Sequence, residues 1–240
     1  MFLDIHELLN DPNKIEETEK ASTRLVTQAV YEFRETAAEI FTHEQDFAQD
    51  IAEDITREAL DRLGVSRMDV RLFGKMDYKR ARYVFHPTYA VRQALFVDSK
   101  AEKEHGTSTL QTAQTSLRIR HMRAGNPVDE QGTMPLYLET DRGNCITTTI
   151  FVKYEYQDEP STKLLEITVA SLPNGALQSN YNPSPTDTIW RTGRNAPSRE
   201  EPFRVRLVFD LLKQKAAWRV QTIPMNPMLP VTPGSFPWDE

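Results

Sequence analysis

From Ala94 to Val97 the chain runs through four apolar residues and then meets Asp98-Ser99-Lys100, an acid and a lysine two places apart. A strand apolar on both faces belongs inside a sheet covered on both sides, so this run predicts a buried central strand ending at Asp98. Side chains alternate along a strand, and Asp98 and Lys100 therefore leave it together on one face. An acid and an ammonium then meet where water is scarce, either as an ordinary buried ion pair or as a pair with chemistry to perform.

Met76-Asp77-Tyr78-Lys79 supplies a second acid, 21 residues before Asp98, in a segment that also reads as extended. Two carboxylates can hold a hard divalent ion through oxygen ligands. A lysine beside them can stabilise phosphate charge or help to activate water, so the set points to phosphodiester cleavage. Asp-x-Lys on its own is a weak signal, because it occurs twice, at Asp77-Tyr78-Lys79 and at Asp98-Ser99-Lys100. The apolar run before Asp98 and the partner acid upstream single out the second.

Other chemistries lose support. Cys145 is the only cysteine, which excludes an intrachain disulfide and a cysteine-based zinc site, and it reads as a buried small apolar residue. His6, His43, His86, His105 and His121 show no ligand spacing, and there is no Gly-x-Ser-x-Gly elbow or Walker-type loop. A net charge of −6 argues against nonspecific nucleic-acid binding, whose affinity grows with the number of phosphates neutralised. A local basic surface remains open: residues 191–219 carry Arg191, Arg194, Arg199, Arg204, Arg206, Lys213, Lys215 and Arg219 against Glu200, Glu201 and Asp210. No apolar run reaches the length of a membrane span and the N-terminus lacks a signal core, so a cytoplasmic protein is expected.

At 240 residues the chain can form one domain with elaborations. Leu25, Ala29, Phe33, Ala37 and Phe41 repeat every four residues and predict a long helix over 14–42, with acids in its first turns. Phe47, Ile51, Ile55, Ala59 and Leu63 predict a second helix that stops at Gly64. Residues 67–86 alternate as paired strands around Gly74. A polar loop spans Lys103 to Thr109, and Thr109 to Arg120 reads as a short helix or an extended arm. Turn formers fill Gly125 to Thr133, and Cys145–Tyr156 and Leu164–Ala170 are β-branched runs suited to central strands. The proline-rich stretch from Pro173 to Pro202 reads as a binding loop or a subunit-spanning arm. Phe203–Leu211 and Trp218–Ile223 predict a further strand pair. The tail from Pro224 is expected to be extended, with Phe236 and Trp238 as anchors on a neighbouring subunit if it is ordered.

In Phe203-Arg204-Val205-Arg206-Leu207-Val208-Phe209 the apolar residues share one face, so Arg204 and Arg206 project from the other, about 7 Å apart. Such a pair can sit on a solvated face or read two guanines, each guanidinium donating to O6 and N7 of one base.

Asp77, Asp98 and Lys100 fit the loose signature of the PD-(D/E)xK nuclease superfamily. The text around them, Met76-Asp77-Tyr78-Lys79-Arg80-Ala81-Arg82 and Leu95-Phe96-Val97-Asp98-Ser99-Lys100-Ala101, resembles the SfiI-type family of type II restriction endonucleases. The likeness continues through Ala52–Thr56, Thr109–Gln111, Thr148–Val152, Ser171–Pro173, Tyr181–Pro183 and Arg204–Asp210, covering roughly residues 15 to 220. Met76 departs from the proline of the motif without removing a ligand, and the loop near Thr107 lacks an arginine that the family leads one to expect there.

The resemblance implies an α/β fold with a mixed sheet, a restriction-endonuclease-like core with N-terminal helices and added strands. One nuclease domain would span 1–240, with helices over 14–63, the catalytic sheet over 67–100, recognition and oligomerisation elements over 101–223 and a tail over 224–240. It implies Mg²⁺-dependent cleavage of double-stranded DNA at a GC-rich palindrome, continuous or interrupted, leaving 5′-phosphate and 3′-hydroxyl ends. Asp77, Asp98 and the Ser99 carbonyl would hold the ion, Lys100 would orient or activate water, and Arg194, Arg204 and Arg206 would read DNA. In such nucleases an acid of the first helix often assists; here Glu53 falls nearly opposite the apolar stripe and Asp54 at its edge, so Asp54 is the better candidate and a solvated face the favoured reading. Palindromic DNA calls for a dimer at least, and the family for a tetramer. A structure-selective repair or recombination nuclease and a noncatalytic DNA-binding protein remain as alternatives.

Overall fold

The computed structural model describes residues 2–43, 48–71, 80–103, 108–158, 161–193, 205–225 and 238. The chain opens with helices α1 (Ile5–Leu9), α2 (Pro12–His43) and α3 (Ala48–Arg62), then strands β1 (Arg67–Arg71), β2 (Arg80–His86) and β3 (Val91–Lys103). Short strands follow: β4 (Thr109–Leu110), β5 (Arg118–Arg123), β6 (Asn126–Gln131) and β7 (Tyr137–Thr140). Two long ones, β8 (Gly143–Gln157) and β9 (Lys163–Leu172), precede α4 (Gln178–Tyr181), β10 (Trp190–Thr192), β11 (Val205–Leu207), α5 (Phe209–Lys215) and β12 (Val220–Pro224).

Among the described residues the main sheet has seven strands, in the order β1-β2-β3-β8-β9-β12 with β7 on the free edge of β8. β3 and β8 are parallel, while β2–β3, β8–β9 and β9–β12 are antiparallel, which gives the expected mixed sheet. Helices α2 and α3 cover one face. Val26, Ala29, Phe33, Ala37 and Phe41 of α2 and Ala52, Ile55 and Ala59 of α3 pack there on Leu95, Ile150, Val152, Tyr154, Ile167 and Val169. Helix α2 starts two residues before the predicted boundary because Pro12 suits a first helical turn and the Asp11 carboxylate accepts the Lys14 N–H at 3.1 Å. Its acids therefore lie beyond the first turn. The start of α2 is also tied to the residues just before β12: Glu19 pairs with Arg219 at 2.7 Å, both side chains fully buried. No helix among the described residues is long and apolar enough to cross a membrane.

Several expectations need correction. Strand β3 does not end at Asp98 but runs on to Lys103, because β8 pairs with it in parallel from Gln93–Ile146 to Lys103–Tyr156 and keeps the polar residues bonded. The stretch after Gly125 is not all turn: β6 pairs with β5 as a hairpin, closed by Ala124 (φ 47°) and Gly125 (φ 83°), the left-handed pair of a two-residue turn. Segments 203–211 and 218–223 are not partners. β11 pairs with β10 and β4 in a three-stranded sheet, α5 begins at Phe209, and β12 joins β9 on the main sheet. Most of the tail and Gly74 lie outside the described residues, but the Trp238 ring sits 5.0 Å from the Arg24 guanidinium of α2, a contact within the same chain.

Candidate active site

Strand β3 lies between β2 and β8, and its alternation sorts its residues by face. Leu95, Val97 and Ser99 turn towards the helices, and Phe96, Asp98, Lys100 and Glu102 towards the other side of the sheet. Asp98 is 1% exposed, and its Oδ2 stands 3.4 Å from Nζ of Lys100. The same ammonium donates to the carbonyl of Thr109 and lies 5.3 Å from the centre of the Phe151 ring. The two residues are thus brought together as their spacing requires, on a buried central strand.

The polar strip does not stop at Lys100. The parallel register sets Lys153 beside Lys100 and Glu155 beside Glu102, and the Lys153 ammonium pairs with Glu155. Lys153 is 7% exposed, and burial pushes the Glu102 carboxyl above its usual range, with Lys153 and Lys100 pulling the other way. Sequence reasoning did not find Lys153, Glu102 or Glu155. Part of the signal was present: in Ile150-Phe151-Val152-Lys153-Tyr154-Glu155-Tyr156 two charges interrupt an otherwise apolar run at strand spacing, although only the register sets them beside Lys100 and Glu102.

On the opposite face the Ser99 hydroxyl, buried against α3, donates to Oγ1 of Thr56 at 2.8 Å. Thr56 also meets the Tyr154 hydroxyl at 2.8 Å. Glu53 and Asp54 of the same helix are exposed, and Asp54 pairs with Arg57 at 2.7 Å. The helix therefore presents a threonine, rather than an acid, to the strand that carries Asp98. Asp54 does not lie at the buried edge because the apolar stripe of α3 is centred on Ala52, Ile55 and Ala59.

Asp98 and the backbone of Ser99 offer hard oxygen donors of the kind Mg²⁺ prefers, and the lysine beside them suits a phosphate more than a metal. Among the described residues no three His, Cys, Asp or Glu side chains gather into a group that could hold a metal ion. A metal centre here needs a further acid, and Asp77, like Lys79, lies outside the described residues.

Arg206 projects from the three-stranded sheet while Val205 and Leu207 are buried, as the alternation predicts. Its Nε donates to the Thr192 carbonyl at 3.1 Å, which fixes the plane of the guanidinium. Arg206 stands opposite Thr109 in the register of β11 and β4, so the residue that takes the Lys100 ammonium is also the strand partner of Arg206. Arg194 and Arg204 lie outside the described residues.

Residues 18–223 match the family model described as type II restriction enzyme SfiI. The chain is 34% identical to the type II restriction enzyme SfiI of Streptomyces fimbriatus over 239 residues, covering 93% of this chain and 88% of the relative. Its structure is similar to that of the tetrameric restriction endonuclease SfiI bound to cognate DNA, with a TM-score of 0.80 at 29% identity over 94% of this chain and 89% of the other. The fold also matches the restriction endonuclease BglI bound to its DNA recognition sequence, with a TM-score of 0.70 at 16% identity over 92% and 94% of the two chains.

Proposed function

Since the chain belongs to the SfiI family of type II restriction enzymes, and is on that ground a site-specific deoxyribonuclease, we propose that it cleaves both strands of a GC-rich palindrome with Mg²⁺. The observation that carries this reading is the Asp98–Lys100 pair, 3.4 Å apart on the buried central strand of a chain matched to that family from residue 18 to 223. Asp77, Asp98 and the Ser99 carbonyl would hold Mg²⁺. When bound, the ion supplies a Lewis acid that polarises the scissile phosphate and lowers the cost of ionising water. Lys100, steadied by Asp98 and Thr109, orients the attacking water and balances the charge that builds on the phosphate oxygens. The water oxygen forms a bond to phosphorus as the bond to the 3′ oxygen breaks. The attacking water gives up a proton to solvent and the departing oxygen takes one from it, leaving a 3′-hydroxyl and a 5′-phosphate.

Arg206, with Arg194 and Arg204, reads guanines in the major groove. The SfiI structure is a tetramer on cognate DNA, and a homotetramer holding two duplexes is the assembly proposed for this chain. Digesting genomic DNA with purified protein and Mg²⁺, followed by run-off sequencing, tests all of this at once. Discrete ends at one GC-rich palindrome are expected. Random nicks, ends at branched DNA or intact DNA would each overturn the proposal.

A further inference from the structure

We propose that Thr56 and Tyr154 are positioning residues of the metal site, acting through Ser99. This rests on the reading of the Ser99 carbonyl as a ligand. Ser99 is the residue between Asp98 and Lys100, and strand alternation turns its hydroxyl away from the charged face into the helix-packed core, where it is 2% exposed. A hydroxyl buried there costs free energy unless it is bonded. Its partner is Thr56 of α3, itself 2% exposed, at 2.8 Å.

The bonds around Thr56 exhaust what a hydroxyl can make. Its one proton goes to the Ala52 carbonyl at 3.0 Å, and its two acceptor positions take Ser99 at 2.8 Å and the fully buried Tyr154 hydroxyl at 2.8 Å. Burial raises the pKa of the Tyr154 phenol, which keeps it a donor, and its ring is stacked on Phe41 at 5.8 Å. Three hydroxyls from α3, β3 and β8 thus meet at one atom, in a core otherwise built from Phe41, Ile55, Val152 and Ile167. Apolar side chains of the same volume would hold these elements together without the burial cost of polar atoms.

What the knot adds is a fixed Ser99. Anchoring its hydroxyl to Thr56 ties β3 to α3 at the residue between Asp98 and Lys100. Ser99 follows Asp98 directly and its carbonyl begins the peptide to Lys100, so the anchor bears on the part of β3 that would hold the ion. Residues that hold a metal ligand in place are worth about 10- to 100-fold in metal affinity or activity.

The test is Mn²⁺ titration of the full-length protein bound to a duplex with its mapped site, read by electron paramagnetic resonance, beside cleavage rates and melting temperatures. Thr56→Val and Tyr154→Phe keep the shape of the core and each remove one hydroxyl. Both are expected to bind Mn²⁺ about 10-fold more weakly, and Thr56→Ser, which restores the bond, to bind as the wild type does. Variants that melt earlier yet hold Mn²⁺ like the wild type would assign the knot to stability alone and overturn the inference. So would Thr56→Ser behaving like Thr56→Val. Should the wild type bind no Mn²⁺ and cut no DNA, the metal reading of the site fails first, so the two failures are distinguishable.

Discussion

The Lys100 ammonium donates to the backbone carbonyl of Thr109, and Thr109 is in turn the strand partner of Arg206. The lysine of the central strand is therefore bonded to the small sheet that carries Arg206. Any shift of that sheet would move a partner of Lys100.

Removing charge at this point should stop cleavage without unfolding the protein. Asp98→Asn and Lys100→Ala are each expected to slow cleavage by at least about 100-fold while affinity for the duplex persists, since groups that face developing charge typically contribute that much. Asp77→Asn should behave alike, and Lys79→Ala should be tolerated. Rapid-quench cleavage beside gel-shift titration measures both quantities, and wild-type turnover in Asp98→Asn would remove Asp98 from the site.

The helix acids give the opposite expectation. Glu53 and Asp54 are exposed, and the Asp54–Arg57 pair is a solvated surface contact worth under about 1 kcal/mol. Glu53→Gln and Asp54→Asn should therefore cut DNA within about fivefold of the wild-type rate, whereas a loss as large as that of Asp98→Asn would place an acid of α3 in the catalytic set.

Residues whose neighbours in sequence are also their neighbours in space were legible before the structure. The Ala94–Val97 run with its Asp-x-Lys ending located the central strand, and the four-residue repeats located α2 and α3. The hairpin of β5 and β6 was hidden because its turn uses Ala124 at positive φ in place of the Asn-Gly pair that marks such turns. Helix α5 was hidden because the alternation of Phe203 to Phe209 runs straight through its start, where Val208 provides no side-chain cap. Lys153, Glu155 and Thr56 were hidden for another reason. Their relation to Asp98, Ser99 and Lys100 exists only through the parallel register and the packing of α3, which no local pattern encodes.

His86 supplies a pH dependence of stability. Its Nε2 lies 3.0 Å from Oε1 of Gln93 and 3.2 Å from the Ser22 hydroxyl, and burial lowers its pKa while the bond to Gln93 works weakly the other way. A histidine whose folded pKa lies below its unfolded value binds fewer protons when folded. Stability is then intact above the unfolded pKa of about 6.5 and is lost as pH falls from there through the folded pKa, by at most about 1.4 kcal/mol per pH unit. Urea melts at pH 7.5 and pH 5.5 should show this loss in the wild type and a smaller one in His86→Gln.

Assembly makes its own prediction. A tetramer that holds two duplexes is expected to cut a plasmid with two sites faster than one with a single site, because the second duplex is delivered at the high local concentration set by the connecting DNA. Light scattering should give four times the 27.6 kDa chain mass. A monomer both free and on DNA, with equal rates on the two plasmids, would rule the assembly out.

Among the described residues Arg206 is the arginine proposed to read the DNA sequence. Its guanidinium is held in plane by the Thr192 carbonyl, and Thr192 is held by its own bond to the Met122 carbonyl of the β5–β6 hairpin at 3.3 Å, so the arginine is ordered before DNA arrives. A side chain fixed in this way loses little conformational entropy on binding and can enforce the geometry of O6 and N7 of a guanine. Arg206→Ala is expected to cost about 1 to 3 kcal/mol of discrimination between the cognate site and a single G·C to A·T change, with little effect on binding to unrelated DNA. Arg204→Ala and Arg194→Ala should follow the same rule if they reach base edges. An arginine that contacts phosphate instead would weaken binding to all sequences alike and reduce the salt dependence by about one unit. Measuring affinity for cognate, singly changed and unrelated duplexes at two salt concentrations separates these roles, and unchanged preference in Arg206→Ala would move the reading of guanine to other residues of the 191–219 region.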